Sequence, residues 1–372
     1  MIPAVVPMTS RRSAELHPED VLDGRYRIIR ELAEGGMGTV FLAEHMLIKR
    51  RVAIKLLHAE LAADHAMVHR FLNEASAAGI LGHPHIVEST DMGFTRERVP
   101  YIVFEYLEGC LLTEELRRLG GLPLRRALVI ARQIASALEA AHHARIAHLD
   151  LKSDNVFLTQ RGDTLDHAKL LDFGISRFMA ADSEVTQPGV LMGTPEFMAP
   201  EQVTSPGSVD CRADIYALGV LLYEMLAGRC PFENVDPRHV LRRIVHEPPP
   251  PLGRPVPAAL ERLLFDGLLV KSRDQRLQTM GEITIVLDAL IATLRPGIPE
   301  ALDSFDEPKP ERARGTAEPI WVVDRWFDEV PDPCDGRAAL PPGGLRLQVT
   351  TADRHAAPGP RPRRTQPLSQ HR

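Results

Sequence analysis

The stretch that decides the fold is AHLDLKSDNVFL, at residues 147–158. It places Asp150, Lys152, Asp154 and Asn155 within six residues, between apolar segments. Three interpretations compete: a calcium loop, a polar turn and a catalytic loop. A calcium loop that begins at Asp150 needs oxygen ligands at its third and twelfth positions and glycine at its sixth. Here the third and twelfth positions are basic and the sixth is Asn155, so calcium is excluded. The motif alone leaves the turn and the catalytic loop open.

The composition is that of a soluble globular protein. The chain has 372 residues, enough for two or three packed units, with 44% hydrophobic and 25% charged residues. A formal net charge of −6 gives no indication of a nucleic-acid partner. The four cysteines form no C-x-x-C pair, so neither a zinc site nor a disulfide framework is predicted; they are Cys110, Cys211, Cys230 and Cys334.

No segment predicts export or membrane insertion. The first 24 residues lack the long apolar core of a signal peptide. No stretch approaches the roughly 18 uninterrupted apolar residues that a membrane span needs. We therefore expect a cytoplasmic protein without a membrane span.

Between residue 25 and about residue 294 the pattern changes from strands to helices. Short alternating or β-branched segments come first and predict strands: YRIIREL, GTVFLAEH, RVAIKLL, HIVES and YIVFEYL. One helix interrupts them at about 66–81. After Gly109 an apolar stripe follows a helical period, at Leu128, Ala131, Ala135, Leu138 and Ala141, and residues 212–228 are apolar on almost every side. We expect an α+β fold with a small strand-rich lobe, a larger helical lobe and a cleft between them.

Both ends of the chain differ from this middle part. Residues 1–24 predict a disordered extension, and residues 295–372 are rich in proline, which is typical of disorder. Charge is segregated in the tail: eleven acidic against four basic residues in 300–335, then one against seven in 336–372. The acidic part contains IWVVDRWFDEV, at 320–330, which holds both tryptophans. We interpret it as a docking peptide for a partner; the alternative is a short strand or helix that packs on the folded lobes.

Two stretches in the strand-rich part carry chemistry. LAEGGMGTVFLA, at 32–43, is a glycine-rich loop between strands, which suits either a phosphate-binding loop or a hairpin turn. VAIK, at 52–55, ends a strand on Lys55, and a lone lysine there is usually solvated. A helix with RFLNEASAAG follows and places Glu74 where it can reach back to Lys55.

Two further stretches follow the opening motif. LLDFGISRF, at 170–178, puts Asp172 directly after an apolar strand, in a pattern that also fits a turn. Carboxylate and amide oxygens are the ligands that Mg²⁺ takes, usually together with nucleotide phosphates. GTPEFMAPEQ, at 193–202, taken alone fits a surface loop.

The order and spacing of these stretches carry a resemblance. A glycine loop, the VAIK lysine, a helix glutamate, D-x-K-x-x-N, DFG and APE occur in the order found in protein kinases. The chain resembles the eukaryotic-like serine/threonine protein kinases of bacteria over about residues 25–294. The resemblance implies the bilobal protein kinase fold, with a strand-rich N-lobe, a helical C-lobe and the ATP cleft between them.

The resemblance also implies a nucleotide site. The glycine-loop backbone would cover the phosphates of ATP, Val40 and Phe104 would flank the adenine, and residues 105–107 would form the hinge that hydrogen-bonds it. The implied nucleotide-binding set is Leu32, Ala33, Glu34, Gly35, Gly36, Gly38, Val40, Ala53, Lys55, Glu105 and Leu107. Lys55 would hold the α- and β-phosphates and pair with Glu74.

The implied catalytic roles centre on the opening motif. Asp150 would accept the proton of the substrate hydroxyl, Lys152 would contact the γ-phosphate, and Asn155 with Asp172 would bind Mg²⁺, with Mn²⁺ as an alternative ion. The lysine two residues after the base marks the Ser/Thr subtype. The wider implied contacts are Thr194 positioning Asp150, Glu201 pairing with Arg276, and Asp214 anchoring the catalytic loop. Five histidines could be read as metal ligands: His83, His85, His142, His143 and His148. The motifs HPHIV and IAHLD match structural histidines of the family, so no metal site is predicted there.

The chain departs from the family pattern in three places. Ala33 replaces the first glycine of the phosphate loop, which should stiffen it. Leu149 replaces the arginine that usually precedes the catalytic aspartate. In the activation segment Thr186 is followed by Pro188, where bacterial relatives often carry paired threonines.

The sequence leaves three functions open. The first is an active protein kinase that phosphorylates protein substrates and itself. The second is a pseudokinase scaffold that binds partners through its tail, which the presence of every catalytic residue disfavours. The third is a small-molecule kinase, which the peptide-facing segment GTPEFMAPEQ disfavours. The sequence also allows a homodimer.

Overall fold

A computed structural model describes residues 16–161, 164–172, 177–178, 194–234 and 236–294. The N-lobe is an antiparallel six-stranded sheet in the order β1-β2-β3-β4-β6-β5. Its strands are β1 (Val21–Leu22), β2 (Tyr26–Glu34), β3 (Gly38–His45), β4 (Arg51–Leu57), β5 (Ser89–Phe94) and β6 (Pro100–Glu105). The predicted β-branched and aromatic segments supply most of the sheet because such side chains pack well on a pleated surface.

Helix α1 (His65–Leu81) packs on this sheet. The Asp64 carboxylate caps its start by accepting hydrogen bonds from the N–H groups of Ala66 and Met67. The helix ends at Leu81, and the next residue, Gly82, caps it with a φ of +47° in the left-handed region that favours glycine. This helix matches the predicted span of 66–81 and buries Glu74 together with apolar residues.

The C-lobe is helical. Its helices are α2 (Leu112–Leu119), α3 (Leu124–His143), α4 (Pro200–Thr204), α5 (Arg212–Ala227), α6 (Pro237–His246), α7 (Ala258–Arg262), which continues into a π-helical segment Leu263–Leu268, and α8 (Met280–Thr293). The predicted stripe of α3 is fully buried, and α5 is buried on nearly every side. A separate hydrophobic core fills each lobe, so the expected two-lobed α+β fold is confirmed.

Short strands frame the loops between the lobes. β7 (Gly109–Leu111), β9 (Val156–Arg161) and β10 (Thr164–Leu170) form one small sheet, and β8 (Ile146–Ala147) pairs with β11 (Arg177–Phe178). The opening motif runs from the end of β8 to the start of β9, and Asp172 comes just after β10. The stretches that carry the chemistry therefore lie on loops held by strands at both ends.

One strand prediction is wrong. HIVES, at residues 85–89, was expected to form a strand, but β5 begins only at Ser89. The backbone of His85 and Val87 instead bonds to Leu170: Leu170 N–H donates to His85 O and Val87 N–H donates to Leu170 O. This contact ties the loop after α1 to the C-lobe, which a local pattern cannot reveal. Among the described residues, no helix is long and apolar enough to cross a bilayer.

Candidate active site

A cleft of about 470 Å³ lies between the two lobes. Its walls are apolar, and they are formed by Val40, Ala53, Val87, Phe104 and Leu171. Its other end is polar and contains Lys55, Glu74, Asp154, Asn155 and Asp172. One cleft thus combines apolar walls with a cluster of charged groups.

Lys55, at the middle of β4, is the centre of the charged cluster. Its Nζ lies 2.9 Å from each carboxylate oxygen of Glu74 and 3.1 Å from Asp172 Oδ1. Lys55 and Glu74 are 5% and 2% exposed, so solvent screens these contacts little. The sequence-predicted pairing of Lys55 with Glu74 is present, and Asp172 joins it.

The protonation states of Lys55, Glu74 and Asp172 follow from the position of one ammonium group between two carboxyl groups. Burial opposes the charged form of Lys55, but Asp172 and Glu74 outweigh it and raise its pKa. Burial and then Asp172 raise the pKa of Glu74 to about 8, against the effect of Lys55. Burial also opposes ionisation of Asp172, but Lys55 holds the pKa of that carboxyl below its usual range. Asp172 is therefore held in its anionic form, which suits a metal ligand.

The opening motif forms a compact loop around Asp150. Asn155 Nδ2 donates to Asp150 O at 2.8 Å and to Asp150 Oδ2 at 3.2 Å, and Lys152 Nζ lies 3.2 Å from the same carboxylate oxygen. Lys152 also donates to the Thr194 hydroxyl at 3.0 Å. Thr194 therefore reaches Asp150 through Lys152. The side-chain amide nitrogen of Asn155 donates to Asp150. The backbone N–H of Leu171 donates to the backbone carbonyl of Asn155, which links this loop to the residue before Asp172.

Asp214 of α5 anchors the loop that carries Asp150 through hydrogen bonds to the loop backbone. It is fully buried and accepts the N–H groups of His148 at 2.9 Å and Leu149 at 2.7 Å, and it bonds His142 Nε2 at 2.8 Å. Burial opposes its ionisation, but the hydrogen bond from His142 and the other donors lower its pKa. These bonds hold Leu149 at a φ of +65°, a conformation that L-residues rarely adopt.

We expect Asp214→Asn to lower the free energy of unfolding by about 2 kcal/mol. The donors around residue 214 bond to both carboxylate oxygens, whereas an asparagine amide has only one acceptor oxygen. Denaturant titration measures the loss. The control is Asp288→Asn on α8, whose carboxylate is 56% exposed. Equal midpoints for the two variants would contradict the anchoring role of Asp214.

The glycine loop is tied to the next strand. Gly35 N–H donates to Gly38 O at 2.9 Å, and His58 Nε2 lies 2.6 Å from Gly35 O. A Cβ at Gly38 would stand 2.1 Å from Leu56 O, so only glycine fits there. Nothing in the position of His58 after β4 predicts this contact with the loop. Ala33 is buried and pairs with Val40 across the hairpin.

The hinge follows β6. Phe104 lines the back of the cleft, and Leu107 is buried. The Glu105 N–H donates to Glu88 O, and its carboxylate lies 2.5 Å from Lys169 Nζ on β10. The position of Lys169 in the sequence does not predict this contact either. Since the Glu105 side chain points to Lys169 and its N–H is used by Glu88, hydrogen bonds to a ligand would come from other backbone groups of the hinge.

Of the sequence-predicted residues, the following line one cleft: Val40, Ala53, Lys55, Glu74, Phe104, Asn155 and Asp172. The Glu201–Arg276 pair is present as a buried bidentate contact, with distances of 2.8 and 3.0 Å. Four parts of the interpretation lie outside the described residues: Phe173 and Gly174 of the DFG triplet, Ser183 and Thr186 of the activation segment, the N-terminal extension to residue 15, and the tail from residue 295.

Two lobes around a cleft with this charged cluster define the protein kinase class, and comparisons with known proteins agree. The protein kinase domain family matches residues 26–281, and the chain belongs to this family. Serine/threonine-protein kinase Pkn1 of Myxococcus xanthus is 43% identical over 257 residues, which are 68% of this chain and 36% of that protein. Serine/threonine-protein kinase pkn2 of the same organism is 40% identical over 289 residues, 75% of this chain and 34% of that one.

Two further comparisons cover more of the matched protein. Serine/threonine-protein kinase PknA of Mycobacterium tuberculosis is 36% identical over 312 residues, 82% of this chain and 69% of that one. The crystal structure of the Mycobacterium tuberculosis PknI kinase domain, a double mutant, matches with a TM-score of 0.58 and 30% identity, over 74% of this chain and 99% of that chain. The chain spans about a third of the length of the two Myxococcus relatives.

Proposed function

We propose that this chain is an active serine/threonine protein kinase, which transfers the γ-phosphoryl group of ATP to hydroxyls of protein substrates and of itself. One observation carries the proposal: Lys55, Glu74, Asp172 and Asn155 line the polar end of a single cleft, and Asn155 bonds the adjoining Asp150, with contacts of 2.8 to 3.2 Å. The names of the bacterial relatives support the same activity.

The cleft fits ATP. Its apolar walls suit a flat adenine ring, and the glycine-rich loop can offer backbone N–H groups to phosphates. Lys55 is buried and charged, so it can bind phosphate oxygens in a site that screens charge poorly. Glu74 holds Lys55 in place from α1.

The oxygens of Asp172 and Asn155 fit a divalent cation. Both residues line the polar end of the cleft, and hard oxygen ligands of this kind suit Mg²⁺ or Mn²⁺. Such an ion, when bound, would neutralise charge on the transferred phosphoryl group. Lys55 hydrogen-bonds to Asp172, so the carboxylate that would bind the metal ion lies beside the ammonium group that would bind the phosphates.

Asp150 and Lys152 orient the acceptor. Asn155 and Lys152 hold the Asp150 carboxylate, so it can accept a hydrogen bond from a substrate hydroxyl and take its proton. Lys152 is 2% exposed and lies between Asp150 and Thr194, where it can also contact a phosphate. The protein's contribution is positioning and charge stabilisation.

A direct test is incubation with labelled ATP and a generic basic protein. Labelled protein supports the proposal. Stabilisation by ATP and Mg²⁺ in a thermal melt without any transfer would instead favour the pseudokinase scaffold. Transfer to small molecules alone would favour a small-molecule kinase.

We propose that residues 25–294 form the kinase domain together with strand β1 (Val21–Leu22), which pairs with β2, and that the tail is not needed for its folding. A chain that ends at residue 296 should melt within about 2 °C of the full chain, the shift expected for less than 1 kcal/mol in a domain of this size. Differential scanning calorimetry measures it. A large drop would mean that residues 320–330 pack on the lobes.

We propose that catalysis does not need a phosphate on the activation segment. Leu149 replaces the arginine that would bind such a phosphate, and it packs against the C-lobe core. Ser183→Ala/Thr186→Ala should keep its rate within a few-fold of wild type after both proteins are treated with phosphatase; Ser205→Ala on the exposed surface is the control. A loss of about tenfold or more, equal to roughly 1.4 kcal/mol, would show that another basic residue replaces the arginine.

A tail-docking partner, a homodimer and a cytoplasmic location stay predictions from the sequence.

A further inference from the structure

Gln202 of α4 links the segment that follows Thr194 to the catalytic loop. Its side-chain Nε2 donates to the backbone carbonyl of Leu149 at 3.2 Å, and its Oε1 accepts the backbone N–H of Ala199 at 2.8 Å. Ala199 is the N-cap residue of α4, so the second bond caps this helix. One amide group therefore holds both the start of its own helix and the residue before Asp150.

The carbonyl that Gln202 binds belongs to the peptide bond between Leu149 and Asp150. The N–H of the same peptide bond donates to His148 Nδ1 at 3.2 Å, so both polar groups of this plane are held. Leu149 has a φ of +65°, and an L-residue keeps such a conformation only when its surroundings impose it. Because the peptide unit is planar, a rotation of its carbonyl would also move the Cα of Asp150 and the carboxylate attached to it.

Helix α4 is a firm support for this bond. Glu201, next to Gln202, is buried and forms the bidentate pair with Arg276 at 2.8 and 3.0 Å. A cavity of about 220 Å³ is lined both by the catalytic loop and by the segment from Thr194 to Gln202, so side-chain packing between the two is incomplete. Hydrogen bonds therefore carry much of this contact, and the bond from Lys152 to Thr194 is another of them.

The side chain at position 149 cannot replace this contact. An arginine there could bind a phosphorylated activation segment through its guanidinium, whereas Leu149 offers only apolar surface, which packs on the C-lobe core. The polar groups that remain at residue 149 are those of its backbone. Asp214 accepts the Leu149 N–H, and Gln202 binds the Leu149 carbonyl.

We propose that Gln202 is a positioning residue for phosphoryl transfer: by holding the peptide bond between Leu149 and Asp150, it aims the Asp150 carboxylate at the substrate hydroxyl. The proposal rests on the proposed kinase activity and adds the contact through which α4 acts on the catalytic base. It also supplies what holds the loop at the position where Leu149 replaces arginine.

The test uses the full chain and two substitutions that separate the two bonds of Gln202. In Gln202→Glu the side chain keeps its shape and an oxygen for the Ala199 N–H, but the carboxylate has no donor for the Leu149 carbonyl. In Gln202→Met both bonds are lost. Gln275→Glu, on an exposed turn, is the matched control for an added negative charge.

We expect kcat for a generic basic protein, at saturating ATP and Mg²⁺, to fall by about tenfold in both Gln202 variants, because small misplacements of a reacting group can cost up to about a hundredfold in rate. The KM for ATP should be unchanged, since Gln202 does not line the nucleotide cleft. Gln275→Glu should match wild type in both constants. Rates are measured at a temperature at which circular dichroism shows every variant folded, so a loss of kcat does not reflect unfolding.

Gln202→Glu decides between positioning and a purely structural role. If it keeps the wild-type kcat while Gln202→Met loses it, only the helix cap matters and the positioning role is disproved. A loss that appears in the KM for ATP with kcat unchanged disproves it as well, and in both cases the proposed kinase activity stands. If wild type itself transfers no phosphate, the kinase activity is disproved, and the positioning role with it.

Discussion

Lys55→Met and Asp150→Asn should each reduce phosphoryl transfer by about 10²–10³ at saturating ATP. Methionine cannot bind phosphate oxygens or the carboxylates of Glu74 and Asp172, which now converge on Lys55 Nζ. Asparagine cannot take up the proton of the substrate hydroxyl. The fold should survive both changes, because Glu74 can become neutral when Lys55 is lost and Asn155 can still bond residue 150.

Rates with labelled ATP and circular dichroism of each variant measure these two expectations. The matched controls are Lys49→Met, on the exposed turn before β4, and Asp288→Asn, on the outer face of α8. Both controls should keep wild-type turnover. If Lys55→Met or Asp150→Asn also kept it, the assignment of the cleft residues would be wrong.

Arg276→Ala should lower the free energy of unfolding by about 3–5 kcal/mol, the largest stability effect that we expect. The Arg276 guanidinium has no exposed surface, and it bonds both oxygens of Glu201 and the carbonyl of Arg212. Its removal leaves the buried Glu201 carboxylate without a counter-charge. In a domain of this size the loss corresponds to a fall in Tm of roughly 10 °C.

The control for Arg276→Ala is Arg132→Ala. Arg132 also makes a two-bond contact, to Asp288, but this pair lies on the surface. Exposed pairs contribute less than about 1 kcal/mol, so its Tm should move little. Calorimetry on the two variants side by side would refute the structural role of the Glu201–Arg276 pair if both shifts were equally small.

Local patterns in the sequence predicted most of the fold. Strands β2, β3 and β4, helix α1 and the buried stripe of α3 follow from periodicity and side-chain shape, which act over a few residues. The strand predicted for HIVES does not form over residues 85–88, because the backbone there hydrogen-bonds to Leu170, more than 80 residues away. Long-range contacts of this kind override local propensity.

The candidate site likewise contains residues that the sequence predicts and residues that it does not. The motif residues were found from type and spacing, because phosphate binding and proton transfer demand particular groups in a particular order. The sequence did not predict His58 or Lys169, because each acts through a contact with a residue 23 or 64 positions away. Nothing in their local sequence distinguishes them from ordinary polar residues.

The most direct test of the central claim is a single-turnover measurement with γ-labelled ATP, Mg²⁺ and the purified chain, followed by acid hydrolysis of the labelled protein. The cleft geometry predicts transfer that requires Mg²⁺ or Mn²⁺, that is lost in Asp150→Asn, and that leaves the label on phosphoserine and phosphothreonine. Transfer that proceeds equally well in Asp150→Asn, or no transfer despite binding of ATP and Mg²⁺, would contradict it.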